Sequence, residues 1–178
     1  ALGRYCHSKK GVVPLIPMRE GVWGIYPKNM EQQFALDALL NEEIKLVTLV
    51  GKAGTGKTLL AIAAGLEMTI GREKYNRLLV SRPVQPMGKD LGFLPGDLND
   101  KVDPYLRPLY DALDDLLPSE KLNYFMSTRI IEVAPLAFMR GRTLDNAFII
   151  LDESQNCTTT QLKMFLTRLG PSAKCIIT

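Results

Sequence analysis

At 178 residues, 46% hydrophobic and 23% charged, the chain has the make-up of one globular domain with a sizeable core. Its net charge of +3 is compatible with a nucleic-acid partner but too small to require one. A single histidine, His7, argues against a histidine-based metal cluster or a Ser-His-Asp triad. Cys6, Cys157 and Cys175 have no C-x-x-C spacing and read as reduced thiols rather than a disulfide framework or a zinc site. The longest apolar region, Leu46–Ile70, is broken by Lys52, Lys57 and Glu67. It therefore reads as strand plus helix, with no signal peptide or membrane span, and the expected compartment is the cytoplasm.

Residues 1–21 form a basic stretch punctuated by Gly3, Gly11, Pro14 and Pro17. Little regular structure is expected there: a tail or linker, or an arm lying on a domain that spans 22–178. Trp23 and Tyr26 are expected to pack the start of that domain. Asn29 reads as the N-cap, with Gln32 at the third position, of a helix from Met30 to Leu40. Gln32 has two readings: a helix cap, or an amide that pairs with N6 and N7 of an adenine.

Next comes the apolar run Leu46–Val50, then Gly51-Lys52-Ala53-Gly54-Thr55-Gly56-Lys57-Thr58, then the helical pattern Leu59–Ala64. Strand, glycine-rich loop and helix in this order form a phosphate cradle, a P-loop. Glycines let the backbone N–H groups of Gly51, Ala53, Gly54, Thr55 and Gly56 turn inward, and the following helix adds its positive dipole end. Lys57 is placed to reach the β- and γ-phosphates of ATP, and the Thr58 hydroxyl to ligate Mg²⁺.

Gly71 reads as the helix end, and Arg77–Ser81 as a buried strand stopped by Arg82-Pro83. Arg82 then lies at the carboxyl end of a strand, the edge where open α/β sheets bind ligands; phosphate or nucleic-acid contact and plain surface arginine are both open. Val84–Pro108 is rich in Pro and Gly and long for a connection, which suggests a functional or interface insertion. Asp103-Pro104 is expected to open a helix running through Leu117, with Asp111, Asp114 and Asp115 facing solvent. A short helix Glu120–Ser127 and a strand Ile130–Val133 follow. Arg140-Gly141-Arg142-Thr143 is a compact cationic turn, either solvated or in contact with the γ-phosphate or a nucleic acid.

The run Ala147–Leu151 ends in Asp152-Glu153. Asp152 suits Mg²⁺, which keeps several waters and takes few carboxylates; Glu153 suits a general base acting on water. Gln155 is placed to sense the γ-phosphate or the attacking water, or to cap the helix Thr159–Leu166. Lys174–Thr178 begins another buried strand, and the chain stops there, as expected of a domain truncated at its C-terminus.

Glu153 directly after Asp152 is similar to the additional-strand branch of P-loop ATPases, the branch of RecA and helicases. That likeness implies an α/β three-layer sandwich with a central, mostly parallel sheet. It also implies that Lys174–Thr178 inserts between the P-loop strand and the Asp-Glu strand. Over nearly its whole length the chain resembles the PhoH family, the phosphate-starvation-inducible ATPases. The likeness rests on Trp23-Gly24-Ile25, the P-loop, Ser81-Arg82-Pro83, Leu91-Gly92-Phe93-Leu94-Pro95-Gly96, Tyr105–Leu113, Arg140–Thr143 and Asp152–Asn156. Ser154 departs from the usual Ala, and the Gly-Asp-x-x-Gln expected after Thr178 is not in the chain, so the γ-phosphate sensor has no assignment.

The resemblance implies an ATPase similar to the first motor domain of superfamily 1 helicases, coupled to RNA or single-stranded DNA. Gln32 then matches an adenine reader and Arg82 a strand contact. A homo-oligomer, plausibly a ring, would let a neighbour close the site, with Arg107, Arg140 and Arg142 as unranked arginine-finger candidates. Some members carry an N-terminal PIN ribonuclease domain. The alternative is a nucleotide-gated assembly module with no nucleic-acid substrate; the Asp152-Glu153 pair counts against a small-molecule kinase.

Overall fold

The computed structural model describes residues 2–18, 20–84 and 98–178, with the side chains of 98–102 left out. The Leu91–Gly96 stretch therefore lies outside the described residues. In chain order the elements are β1 (Gly3–Cys6), β2 (Gly11–Pro14), α1 (Met30–Leu40), β3 (Leu46–Thr48), α2 (Lys57–Leu66) and β4 (Arg77–Arg82). They continue with α3 (Leu98–Asp114), α4 (Ser119–Ser127), β5 (Ile131–Pro135), β6 (Ala147–Leu151), α5 (Thr159–Leu166) and β7 (Lys174–Ile177).

Continuous apolar runs make strands that are buried on both faces, which is the pattern of a parallel sheet between helices. β3 to β7 form such a sheet, in the order β3-β7-β6-β4-β5 with every pairing parallel. Successive side chains point to opposite faces. Leu78, Val80, Phe148, Ile150 and Ile176 pack with α1 to α4 on one side. Leu79, Ile149, Leu151 and Cys175 pack on the other side with Phe165 of α5. The three-layer α/β sandwich expected from the sequence is the fold, and β7 does insert between the P-loop strand β3 and the Asp-Glu strand β6.

β3 differs from the buried strand expected over Leu46–Val50. It is an outer strand of this sheet, and only Val47 is buried, while Leu46 and Val50 are exposed. α2, by contrast, sits close on the sheet. A Cβ on Gly65 would lie 2.6 Å from Leu78 Cδ1 and 3.1 Å from Phe148 Cδ1, so only glycine permits this approach. α3 starts at Leu98, ahead of the opening expected at Asp103-Pro104, and carries Pro104 and Pro108 inside. Leu106, Leu109 and Leu113 bury one face of it and keep it on the sheet in spite of the two missing N–H donors.

The basic N-terminal stretch is more ordered than its composition suggests. β1 and β2 pair antiparallel in a hairpin. Arg4 Nε donates to Asp37 Oδ2 of α1 at 2.7 Å, and the Ile16 N–H donates to Asp37 Oδ1 at 2.8 Å. Of the two readings, linker or arm, the residues through Met18 follow the second. Trp23 and Gly24 both take left-handed backbone, φ 51° and 77°, in a two-residue turn closed by mutual bonds between Val22 and Ile25. Trp23 packs on the core as expected, whereas Tyr26 is exposed.

Candidate nucleotide-binding site

The parallel sheet brings the carboxyl ends of β3, β4, β6 and β7 to one edge, and a cleft of about 860 Å³ opens there. The P-loop forms one wall. Gly54 and Gly56 have φ of 77° and 80°, a region that side chains other than glycine rarely enter. Gly56 is the N-cap of α2, so the helix dipole points into the cleft. Thr55 Oγ1 donates to Lys52 O at 2.9 Å and braces the loop. Lys57 Nζ lies over the loop mouth, donating to Gly51 O at 3.0 Å and Lys52 O at 3.1 Å.

The far wall is the end of β6. Asp152 is 3% exposed, and its Oδ1 accepts two hydroxyls, Thr58 at 2.6 Å and Thr178 at 2.7 Å. Thr58 and Asp152, 94 residues apart in the chain, thus meet at the cleft. A hydroxyl and a carboxylate converging at a phosphate cradle are hard oxygen donors of the kind Mg²⁺ takes. Glu153 turns out of the strand with φ 52°, a conformation that costs a non-glycine residue about 1 kcal/mol or more. It lines the cleft, where Gln155 Nε2 donates to its Oε2. Arg82 reaches both acids, Nε lying 3.7 Å from Asp152 Oδ2 and NH2 lying 3.4 Å from Glu153 Oε1.

Gln32 stands behind the loop. Its Nε2 donates to Thr55 O at 3.2 Å, and its Oε1 accepts the Lys28 N–H at 2.7 Å. Asn29 caps α1 through the Gln32 N–H. The amide is thus used by the cap region and the P-loop together. Of the remaining arginines, Arg107 pairs with Asp111 at 3.0 Å, both exposed. Arg142 makes a bidentate bond to Glu132, at 2.6 and 2.9 Å, which holds the Glu132 carboxyl below its usual range. Arg140 is exposed and has no side-chain partner among the described residues. Neither Arg140 nor Arg142 lines the cleft.

Sequence reasoning missed three liners. Thr178 was read only as the last residue of a strand, although a hydroxyl at the carboxyl end of an inserted strand is a usable signal. Asp111 and Asp115 are exposed, as expected, but the solvent they face is that of the cleft, which Pro108 and Ala112 also line. Positions 108, 111, 112 and 115 share one face of a helix, and only the docking of α3 decides what that face meets.

Comparison with known proteins identifies the family. The family model described as PhoH-like protein matches residues 24–178. Protein PhoH2 of Bacillus subtilis is 46% identical over 162 residues, 89% of this chain and 37% of that protein. A PhoH-like protein of Mycobacterium tuberculosis (strain H37Rv) is 50% identical over 154 residues, covering 86% of this chain and 43% of its own. Protein PhoH2 of Mycolicibacterium smegmatis is 39% identical over 179 aligned residues, all of this chain and 40% of that protein. The chain thus spans less than half the length of these relatives.

Proposed function

This chain belongs to the PhoH-like family and carries its P-loop NTPase-like fold, and on that premise we propose that it hydrolyses ATP with Mg²⁺. The observation that carries the reading is the meeting of Thr58 with Asp152 at the mouth of the P-loop, with Glu153 beside them facing the cleft. The loop amides and Lys57 bind and neutralise the β- and γ-phosphates. Thr58 and Asp152 hold Mg²⁺, directly or through water; when bound, it screens the phosphate charge and fixes the phosphate geometry. Glu153 takes the proton of the water that attacks the γ-phosphorus, while the bond to the ADP oxygen breaks. General-base catalysis of this kind contributes about 10²–10⁴-fold. Gln155, bonded to Glu153, orients the base and the water.

Hydrolysis drives work on RNA or single-stranded DNA in the cytoplasm, as part of a homo-oligomer, plausibly a ring. A PIN domain in the full-length protein belongs to the same reading. Arg140, exposed and unpartnered among the described residues, is better placed to act on a neighbour than Arg107 or Arg142, both of which hold carboxylates of their own chain. The test is ATP turnover by Lys57→Ala and Glu153→Gln. Lys57→Ala loses nucleotide binding; Glu153→Gln still binds and turns over about 10²–10⁴-fold more slowly. Undiminished turnover by Lys57→Ala sinks the site assignment. A rate that single-stranded RNA and DNA leave unchanged would favour the nucleotide-gated assembly module.

A further inference from the structure

The N-terminal hairpin has two faces. Register pairs Arg4 with Val13, Tyr5 with Val12 and Cys6 with Gly11. The side of Arg4, Cys6 and Val13 turns toward α1, where Arg4 meets Asp37 and a groove runs past Glu42 and Glu43. The alternate side carries Tyr5, 60% exposed, and Val12, 73% exposed. His7 extends that side, its ring edge-on to Tyr5 with centroids 5.5 Å apart. The turn His7–Lys10 is tight, with Lys10 at φ 48° and its N–H bonded to His7 O. Lys9 and Lys10 are exposed there, and neither forms an ion pair among the described residues.

An exposed tyrosine beside a histidine and two unpaired ammonium groups, on a ribbon bolted to the domain, combines a stacking surface with phosphate-binding cations. Glu42 and Glu43 line the groove beneath the ribbon, which Lys9 borders from the turn. We propose that the outer face of this hairpin, Tyr5 and His7, together with the turn lysines Lys9 and Lys10 at its tip, is a binding surface for single-stranded nucleic acid. The bases stack on Tyr5, the backbone runs past the turn lysines, and recognition is tolerant of sequence because every base offers a π-face. The hairpin precedes the part of the chain that the family model matches, and it is separate from the ATP cleft. This binding role rests on the nucleic-acid part of the proposed function, and its failure, read as equal binding by Tyr5→Ala, is distinguishable from failure of the ATP site.

The test is binding of a fluorescein-labelled oligouridylate of about 15 nucleotides, a length within the range of single-strand sites. Fluorescence anisotropy is read on the whole chain without nucleotide across a salt series. Tyr5→Ala, which changes no charge, is expected to weaken binding by roughly five- to a hundred-fold, and Tyr5→Phe to retain it. Lys9→Gln/Lys10→Gln is expected to flatten the plot of log affinity against log salt by about 1.4, two phosphate contacts on a single strand. Lys121→Gln/Lys163→Gln, elsewhere on the surface, is expected to leave the slope unchanged. Thermal melts check that the variants fold. Equal affinity for Tyr5→Ala and the native chain, or no binding by the native chain at about 50 mM salt, overturns the proposal and turns the hairpin into a protein contact.

Discussion

Asp152 concentrates the chemistry of the site in one buried carboxylate. Two hydroxyls converge on its Oδ1, and the Thr178 hydroxyl is itself buried. A hydrogen bond to a charged group contributes about 1.5–3 kcal/mol. Thr178→Val is therefore expected to lower stability by about that much, whereas Thr178→Ser keeps most of it. Urea unfolding of the two variants separates the hydroxyl from the methyl group. Glu132 offers a second test at this scale. The bond from Arg142 depresses its pKa, so the pair contributes fully above the ordinary glutamate range. That contribution fades as pH falls through the depressed value, because the unfolded chain takes up the proton first. Glu132→Gln is expected to be less stable than the native chain by about 1–2 kcal/mol at pH 7, with the gap closing below about pH 4. A gap that persists in acid would show that packing, not charge, is what Glu132 supplies.

α1 is held at two points by buried charges that its own sequence does not announce. Asp37, 2% exposed, accepts from Arg4 and from the Ile16 backbone. Lys174 of β7, fully buried, donates to the carbonyls of Ala38, Asn41 and Ile44 at 2.6–2.8 Å. Those carbonyls belong to the end of α1 and the turn after it, where helix carbonyls lack partners and the dipole favours a cation. Burial pushes the Lys174 ammonium down to about 8, which still leaves it charged at neutral pH. The helix whose first turn holds Gln32 behind the P-loop is thus tied at its far end to the strand that leads to Thr178. Removing Arg4 strands a buried carboxylate, so Arg4→Ala is expected to cost about 2–3 kcal/mol. A double-mutant cycle with Asp37→Ala should return a coupling of about 1–3 kcal/mol. A coupling near zero would mean that the hairpin rests on the domain without holding it.

For the whole molecule, the sheet order puts the P-loop strand and the Asp-Glu strand on either side of β7, so a nucleotide bound as proposed would brace separate parts of the fold at once. A ligand at a hundred times its dissociation constant adds about 2.7 kcal/mol to stability. In a domain of this size that raises the melting temperature by about 5–10 °C. The shift is expected with ATP and Mg²⁺, and it should be lost in Lys57→Ala. A native chain whose melting is indifferent to nucleotide would count against the site.

Much of this was legible in one dimension. Glycines at 54 and 56 are demanded by left-handed backbone, strand runs by burial on both faces, and Asp152-Glu153 by chemistry at a strand end; each is a local requirement that leaves a local trace. The order of the sheet followed from family resemblance rather than from any pattern in the runs themselves. Other features left no local trace, because they depend on which elements dock. The basic N-terminal stretch became a hairpin through Asp37, a partner 33 residues away. The docking of α3 set Asp111 and Asp115, both still exposed, at the cleft, and Arg142 was drawn to Glu132 across a turn. The sequence by itself determined the phosphate cradle, the acid pair and the layered fold, since backbone sterics and hydrophobic period write these residue by residue. Only the tertiary structure decided which charges are spent on one another and which remain for a ligand, because that depends on distances between segments far apart in the chain.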